Sequence, residues 1–153
     1  FVGDDVQDRQ YLSLLSFGTS GLPDNAVIVS ATLKLKLGST VGTNPFTTHN
    51  SLVVDIRQPY FGTAVSLQTN DFAAVAGAGS VASVGSTQQN GYYVATINTT
   101  GLTHISKTGT TQLRLRFLLD DNDDLGADYL AFYSANASPS TNRPVLEIVY
   151  YVP

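Results

Sequence analysis

The sequence has no cysteine, methionine or tryptophan. Without cysteine there are no disulfides, thiolate metal ligands or thiol nucleophiles, and without tryptophan the best stacking platform is missing. Charge is scarce: only 13% of residues carry it, roughly half the usual globular share. Glutamate occurs once, at Glu147, and the other eleven acids are aspartate. Glutamate favours helices, whereas aspartate favours turns, caps and calcium loops, so few helices are expected. No apolar run approaches the roughly 18 residues of a membrane span, and no basic-then-apolar stretch opens the sequence. Its first residue is Phe1 rather than Met, which reads as a processed or excised chain.

The 153 residues, 42% of them hydrophobic, suit one domain with a sizeable core. Fourteen serines and seventeen threonines take the place of the missing charge. Eight basic against 12 acidic residues leave a net charge of −4. The basic residues are scattered and form no stripe able to displace counterions, which excludes nucleic acid as a partner. Lys34 with Lys36, and Arg114 with Arg116, stand at spacing two and read as outward, solvated residues of strands.

Period-two alternation dominates the chain. Ala31, Leu33, Leu35 and Leu37 share one face opposite Thr32, Lys34 and Lys36. Leu113, Leu115, Phe117 and Leu119 repeat the pattern against Arg114 and Arg116, as do Leu146, Ile148 and Tyr150 opposite Glu147. Tyr11–Phe17, Leu52–Arg57, Tyr92–Ile97 and Tyr129–Tyr133 also read as strands, and Val81–Val84 less strongly. Turn signals separate them: Gly21–Asn25, a long polar loop over Gly38–Asn50, and Asn90-Gly91. Asn70-Asp71 is placed to cap one helical turn, and Gly77–Gly85 reads as a flexible loop. The fold expected over residues 1–153 is a single all-β, antiparallel sandwich of jelly-roll type, with seven or eight strands and little helix.

One segment carries recognisable chemistry. Asp120, Asn122 and Asp124 have the i, i+2, i+4 oxygen spacing of a calcium loop, and Asp128 completes a candidate ligand set for Ca2+. It is not an EF-hand: Gly126 is one position late, and Ala131 stands where the bidentate Glu belongs. Five aspartates in nine residues repel one another unless a cation or splaying relieves them, so a solvated acidic hairpin is the other reading. Asp4, Asp5 and Asp8 form a second acidic group placed to approach the same end. Catalysis finds no motif. His49 and His104 stand in no HExxH or triad context, and both read as structural or exposed.

Aromatics come in adjacent pairs, Tyr60-Phe61, Tyr92-Tyr93 and Tyr150-Tyr151. In a strand one ring of each pair faces the core and the other faces out. Tyr60, Tyr92 and Tyr151 are therefore candidate contacts for a glycan or another protomer. Asn98-Thr99-Thr100 and Asn136-Ala137-Ser138 are glycosylation-type sequons at Asn98 and Asn136.

Arg9–Phe17, then Leu22-Pro23, then Ile28–Leu35, together with Phe132-Tyr133-Ser134 and Asn142–Leu146, resemble the motifs of DNRLRE-type domains of secreted prokaryotic surface proteins. The resemblance spans nearly the whole chain. It implies a β-sandwich at the cell surface, and some such domains are carbohydrate-binding modules. Family domains usually carry a further strand before the segment matching Val2-Gly3-Asp4, where this sequence begins at Phe1. Trimming accounts for that, or a protomer completed by a strand from its neighbour. The expected function is a non-catalytic extracellular structural or adhesive module. It would self-associate or bind another surface protein, as a filament or surface-layer protomer stabilised by calcium. The alternative is a carbohydrate-binding module within a larger secreted protein that acts on polysaccharide.

Overall fold

A computed structural model describes all 153 residues. The alternating segments form eleven strands: β1 (Val2–Asp4), β2 (Gln10–Tyr11), β3 (Ser13–Gly18), β4 (Val27–Leu35), β5 (Leu37–Val41), β6 (Leu52–Arg57), β7 (Ala78–Ser83), β8 (Tyr93–Thr96), β9 (Thr110–Phe117), β10 (Tyr129–Phe132) and β11 (Val145–Tyr151). They pair in the orders β2-β1-β10-β5, β11-β4-β8 and β3-β9-β6-β7, and every pairing is antiparallel. Only Lys36 separates β4 from β5, and its carbonyl accepts the Tyr133 N–H at 3.0 Å, so the first two sheets join along one strand line. The chain is all-β, as the alternation predicts.

The core lies where the apolar faces meet. Leu33 and Leu35 of β4, Leu52, Val54 and Ile56 of β6, and Leu113, Leu115 and Phe117 of β9 are fully buried in one cluster. Burying each such side chain contributes roughly 1.5–3 kcal/mol. On β4 the inward parity breaks. Val149 pairs with Ser30 and Tyr150 with Ile28, so Val29 is an extra, bulged residue. The bulge turns Ile28 toward the core and leaves Val27 and Val29 exposed.

Several loops are more ordered than their composition predicts. Gly38–Asn50 contains most of β5 and a short helix, Pro45–Thr48, capped by the Asn44 side chain. Gly77–Gly85 is not a flexible loop but mostly β7, with Val81 and Ala82 buried. Its Val81 packs closely on the helix Thr99–Leu102, where a Cβ on Gly101 would stand 2.8 Å from Val81 Cβ. Asn90 and Gly91 take φ of 51° and 80°, the left-handed pair of a tight hairpin joining Gln89 to Tyr92.

Arg114 is not solvated. Residues 58–76 cross the outer face of the β9–β6 ladder, and Arg114 and Gln112, which point away from the core, are buried beneath them. Gln112 Oε1 accepts the Phe61 N–H at 2.8 Å, and its Nε2 donates to the Val65 carbonyl at 3.0 Å. Arg114 Nη1 donates to the carbonyls of Phe72 and Ala74 at 3.0 and 2.7 Å, with its guanidinium 4.9 Å from the Phe61 ring centre. Both faces of the central strand are thus covered, one by the core and one by this strap.

Candidate functional site

The aspartates of the two ends of the chain meet. The Asp128 N–H donates to Asp4 Oδ1 at 3.0 Å, the Asp4 N–H donates to the Asp128 carbonyl at 3.0 Å, and the Leu125 N–H donates to Asp8 Oδ1 at 3.0 Å. The expected approach of the second acidic group is realised through these backbone bonds. Left-handed backbone at Asp8, Asp123 and Leu125 folds the two segments against each other.

Within the 120–128 loop, Asp128 is buried and accepts the Thr43 N–H at 2.5 Å. Asn122 Nδ2 donates to Asp124 Oδ2 at 3.0 Å and to Asp128 Oδ2 at 3.3 Å, while its Oδ1 is buried without a partner. Asp124 Oδ1 accepts the Gly126 N–H at 2.6 Å. Of the sequence-predicted ligand set, Asn122, Asp124 and Asp128 come together, whereas Asp120 is exposed and engages none of them. No three His, Asp or Glu side chains converge with the reach of a metal site. Desolvation, then the charges of Asp123 and Asp120, push the Asp121 carboxyl above the usual carboxylate range. The Arg9 guanidinium and neighbouring backbone N–H groups hold Asp5 below it, against a smaller opposing effect of burial.

Behind this loop lies a pair that sequence reasoning missed. His49 and Asp4 are both fully buried, with His49 Nε2 3.1 Å from Asp4 Oδ2. That is ion-pair distance, but the alignment falls short of a hydrogen bond, and neither atom has another partner. On the other side of the ring, His49 Nδ1 and Thr48 Oγ1 share a hydrogen bond at 2.7 Å. Sealed from solvent, the pair offers nothing to a substrate. No local signal joins residues 4 and 49; only the pairing of β1 with β10 brings Asp4 inward.

The tyrosines do not share one surface. Tyr60 is half-buried in the strap. Tyr92 is half-buried beside β8, with its hydroxyl donating to the Thr141 carbonyl at 2.7 Å and Lys36 Nζ 5.0 Å over its ring. Tyr151 is exposed on β11. Tyr93 takes the inward place of its pair as predicted. Phe61 is buried, but in the strap against Arg114 rather than in a strand facing the core. Tyr150 and Tyr151 are both exposed because β11 is an edge strand. A cleft of about 390 Å³ on this side is lined by Thr32, Lys34, Gln89, Asn90, Tyr92, Val94 and Glu147. Both sequon asparagines are exposed; the Asn98 side chain caps the helix Thr99–Leu102 by accepting the Gly101 N–H at 2.9 Å.

Two sheet margins complete the surface. β3 ends one sheet and β11 ends another, and a groove of about 290 Å³ lies between them, lined by Phe17, Leu22, Leu146, Ile148 and Tyr150 among others. A second groove of about 390 Å³ continues along β3 past Leu14 and Leu15 toward Pro144. The sandwich is therefore open along this side, with half-buried apolar side chains at both lips. No known family, curated protein or solved structure matches this chain.

Proposed function

We propose that this chain is a non-catalytic structural or adhesive module of the cell exterior that works by association with copies of itself. The observation that supports it is the open side, where two strand edges flank an apolar groove. Unpaired edges template pairing with another chain, and a protein built only as a solitary carrier blunts them with charge or proline. Here β3 carries no charge or proline, and the one charge of β11, Glu147, is engaged by Lys34. The Ser/Thr-rich, weakly charged surface and the resemblance to DNRLRE-type domains support the same reading. Light scattering across a concentration series, with electron microscopy of the concentrated protein, tests it. Growing oligomers are expected, and a strict monomer at the highest concentration overturns the reading.

Calcium holds the acidic end in this proposal. Asn122 already bridges Asp124 and Asp128 through its amide nitrogen while its oxygen lies buried and unpaired. Exchanging the two ends of that amide presents an oxygen to the same two carboxylates, a set of hard donors suited to Ca2+. The donors are two carboxylates and one amide, with Asp120 outside the group.

The polar cleft beside Tyr92 favours a second reading, a carbohydrate-binding module. Amide and hydroxyl groups at its rim match sugar hydroxyls, although Lys36 and Thr141 already engage Tyr92. A glycan array separates the readings: binding lost in Tyr92→Ala supports this one, and no binding to any glycan removes it.

A further inference from the structure

We infer that β11 is the contact through which two copies of this chain join, each β11 pairing antiparallel with its counterpart so that the β8-β4-β11 strands of the two copies become continuous. This inference rests on the self-association reading and names its surface and symmetry.

β11 is seven residues long and stands at the margin of its sheet. The bulged residue of its ladder, Val29, lies in β4, so β11 itself is regular and presents an even row of backbone donors and acceptors. Its one charge, Glu147, is engaged by Lys34 of the neighbouring strand. Pro144 and Pro153 flank the strand rather than interrupt it. The usual protections of an edge are therefore missing. On the face turned from the core, Val145, Val149 and Tyr151 are 43%, 50% and 54% exposed, beside Val27 and Val29 of β4 at 41% and 56%. Pairing at this edge sets the outer β11 side chains of one copy beside those of the other as cross-strand neighbours, while Val27 and Val29 stay one strand back from the seam.

The strand is complementary to itself. In antiparallel register about Ile148, Val145 meets Tyr151 and Glu147 meets Val149 on the outer face, while Leu146 meets Tyr150 and Ile148 meets Ile148 on the inner. This register pairs all seven residues. Centring on Glu147 instead opposes two like charges, and centring on Val149 leaves Val145 and Leu146 unpaired. The inner residues of the second copy lie over the groove between β3 and β11, next to Phe17 and Leu22. A contact in which the same strand serves both partners closes as a two-fold dimer. β3 is the weaker candidate, with Ser13, Ser16 and Gly18 along its length.

The test uses light scattering and sedimentation of the full chain with two substitutions at one exposed position. Val149→Glu faces Glu147 of the second copy and weakens association by about a hundredfold or more, whereas Val149→Lys faces the same carboxylate and retains it. Because the chain lacks cysteine, cross-linking gives an independent measurement. Under oxidation, Glu147→Cys mixed with Val149→Cys forms a disulfide-linked pair, and Glu147→Cys alone does not. Should Val149→Glu fail to fold, the mixed cross-link decides. If the unmodified chain associates and Val149→Glu associates equally, the β11 contact is overturned while self-association stands. If the unmodified chain stays monomeric throughout, both are overturned.

Discussion

Asp55 and Arg114 sit directly opposite each other in the β6–β9 ladder and pair on the side turned away from the core. Arg114 Nη2 and Nε reach Asp55 Oδ2 at 2.8 and 3.2 Å, Arg116 Nε reaches the same oxygen at 3.0 Å, and the Ser80 N–H donates to Oδ1 at 2.9 Å. With its remaining donors Arg114 holds the strap, so one cross-strand pair fastens residues 58–76 to the sheet.

Asp55→Ala strands two guanidinium groups against a covered surface. Breaking a buried ion pair from one side costs about 3–5 kcal/mol, and that loss is expected in urea unfolding. Arg114→Ala should match it and also expose residues 58–76 to limited proteolysis well below the unfolding midpoint. Equal protease resistance in Arg114→Ala and the unmodified chain would contradict the fastening role.

The same pair sets an acid limit. Burial works to raise the Asp55 carboxyl, but hydrogen bonds from Arg116, the Ser80 N–H and Arg114 override it and hold it below its ordinary value of 3.8. A depressed carboxylate contributes stability that is complete above its unfolded value and disappears as pH falls through the folded one. Stability should therefore drop below about pH 4. Asp121 acts in the opposite sense: desolvation, then repulsion from Asp123 and Asp120, raises its value, and both penalties are relieved as the group protonates. Melting curves of Asp55→Asn should lose the steep acid limb, and an unchanged limb would assign it elsewhere.

Calcium bound only by the folded chain raises the melting temperature by mass action, so chelation should lower it. Asp124→Ala should abolish that difference while leaving the chelated protein little changed, because Asp124 is exposed. Asp128→Ala should lower both temperatures, since its carboxylate also accepts the Thr43 N–H. No response to chelator in the unmodified protein removes calcium from the proposal.

Gly42 is a packing requirement of the same end. At φ +66° an added Cβ would stand 1.9 Å from the Ala127 carbonyl oxygen and 2.2 Å from Asp128 Oδ1. Gly42→Ala should cost at least about 2 kcal/mol through left-handed strain and displacement of the 120–128 loop. A melting temperature unchanged by this substitution would mean that the loop shifts at no cost.

The strands were legible because alternation is a local consequence of side chains pointing to opposite faces. Leu52–Arg57 is a strand with the predicted bounds, and Leu113, Leu115 and Phe117 face the core as their spacing requires. The same rule misread Arg114 as solvated: alternation separates two faces but says nothing of what lies over the second. It caught only the Val81–Val84 end of β7 and left the rest of Gly77–Gly85 as a loop, because glycine, alanine and serine carry little hydrophobic signal. At the acidic end the 120–128 cluster was plain from its aspartates. Exclusion of Asp120 from the group around Asn122 was not, because it follows from which way each loop side chain turns.

By itself, then, the sequence determined an antiparallel β chain with few helices, a dominant set of buried leucines and one concentrated acidic loop. These are local properties, written in period, composition and turn residues. Only the tertiary structure decided that Asp4 bonds to a residue 124 positions away, that His49 is sealed beside it, and that β3 and β11 stand unpaired at an open side. Strand order is a long-range choice among many compatible pairings, and the residues left at the margins become edges because of their neighbours rather than their own pattern.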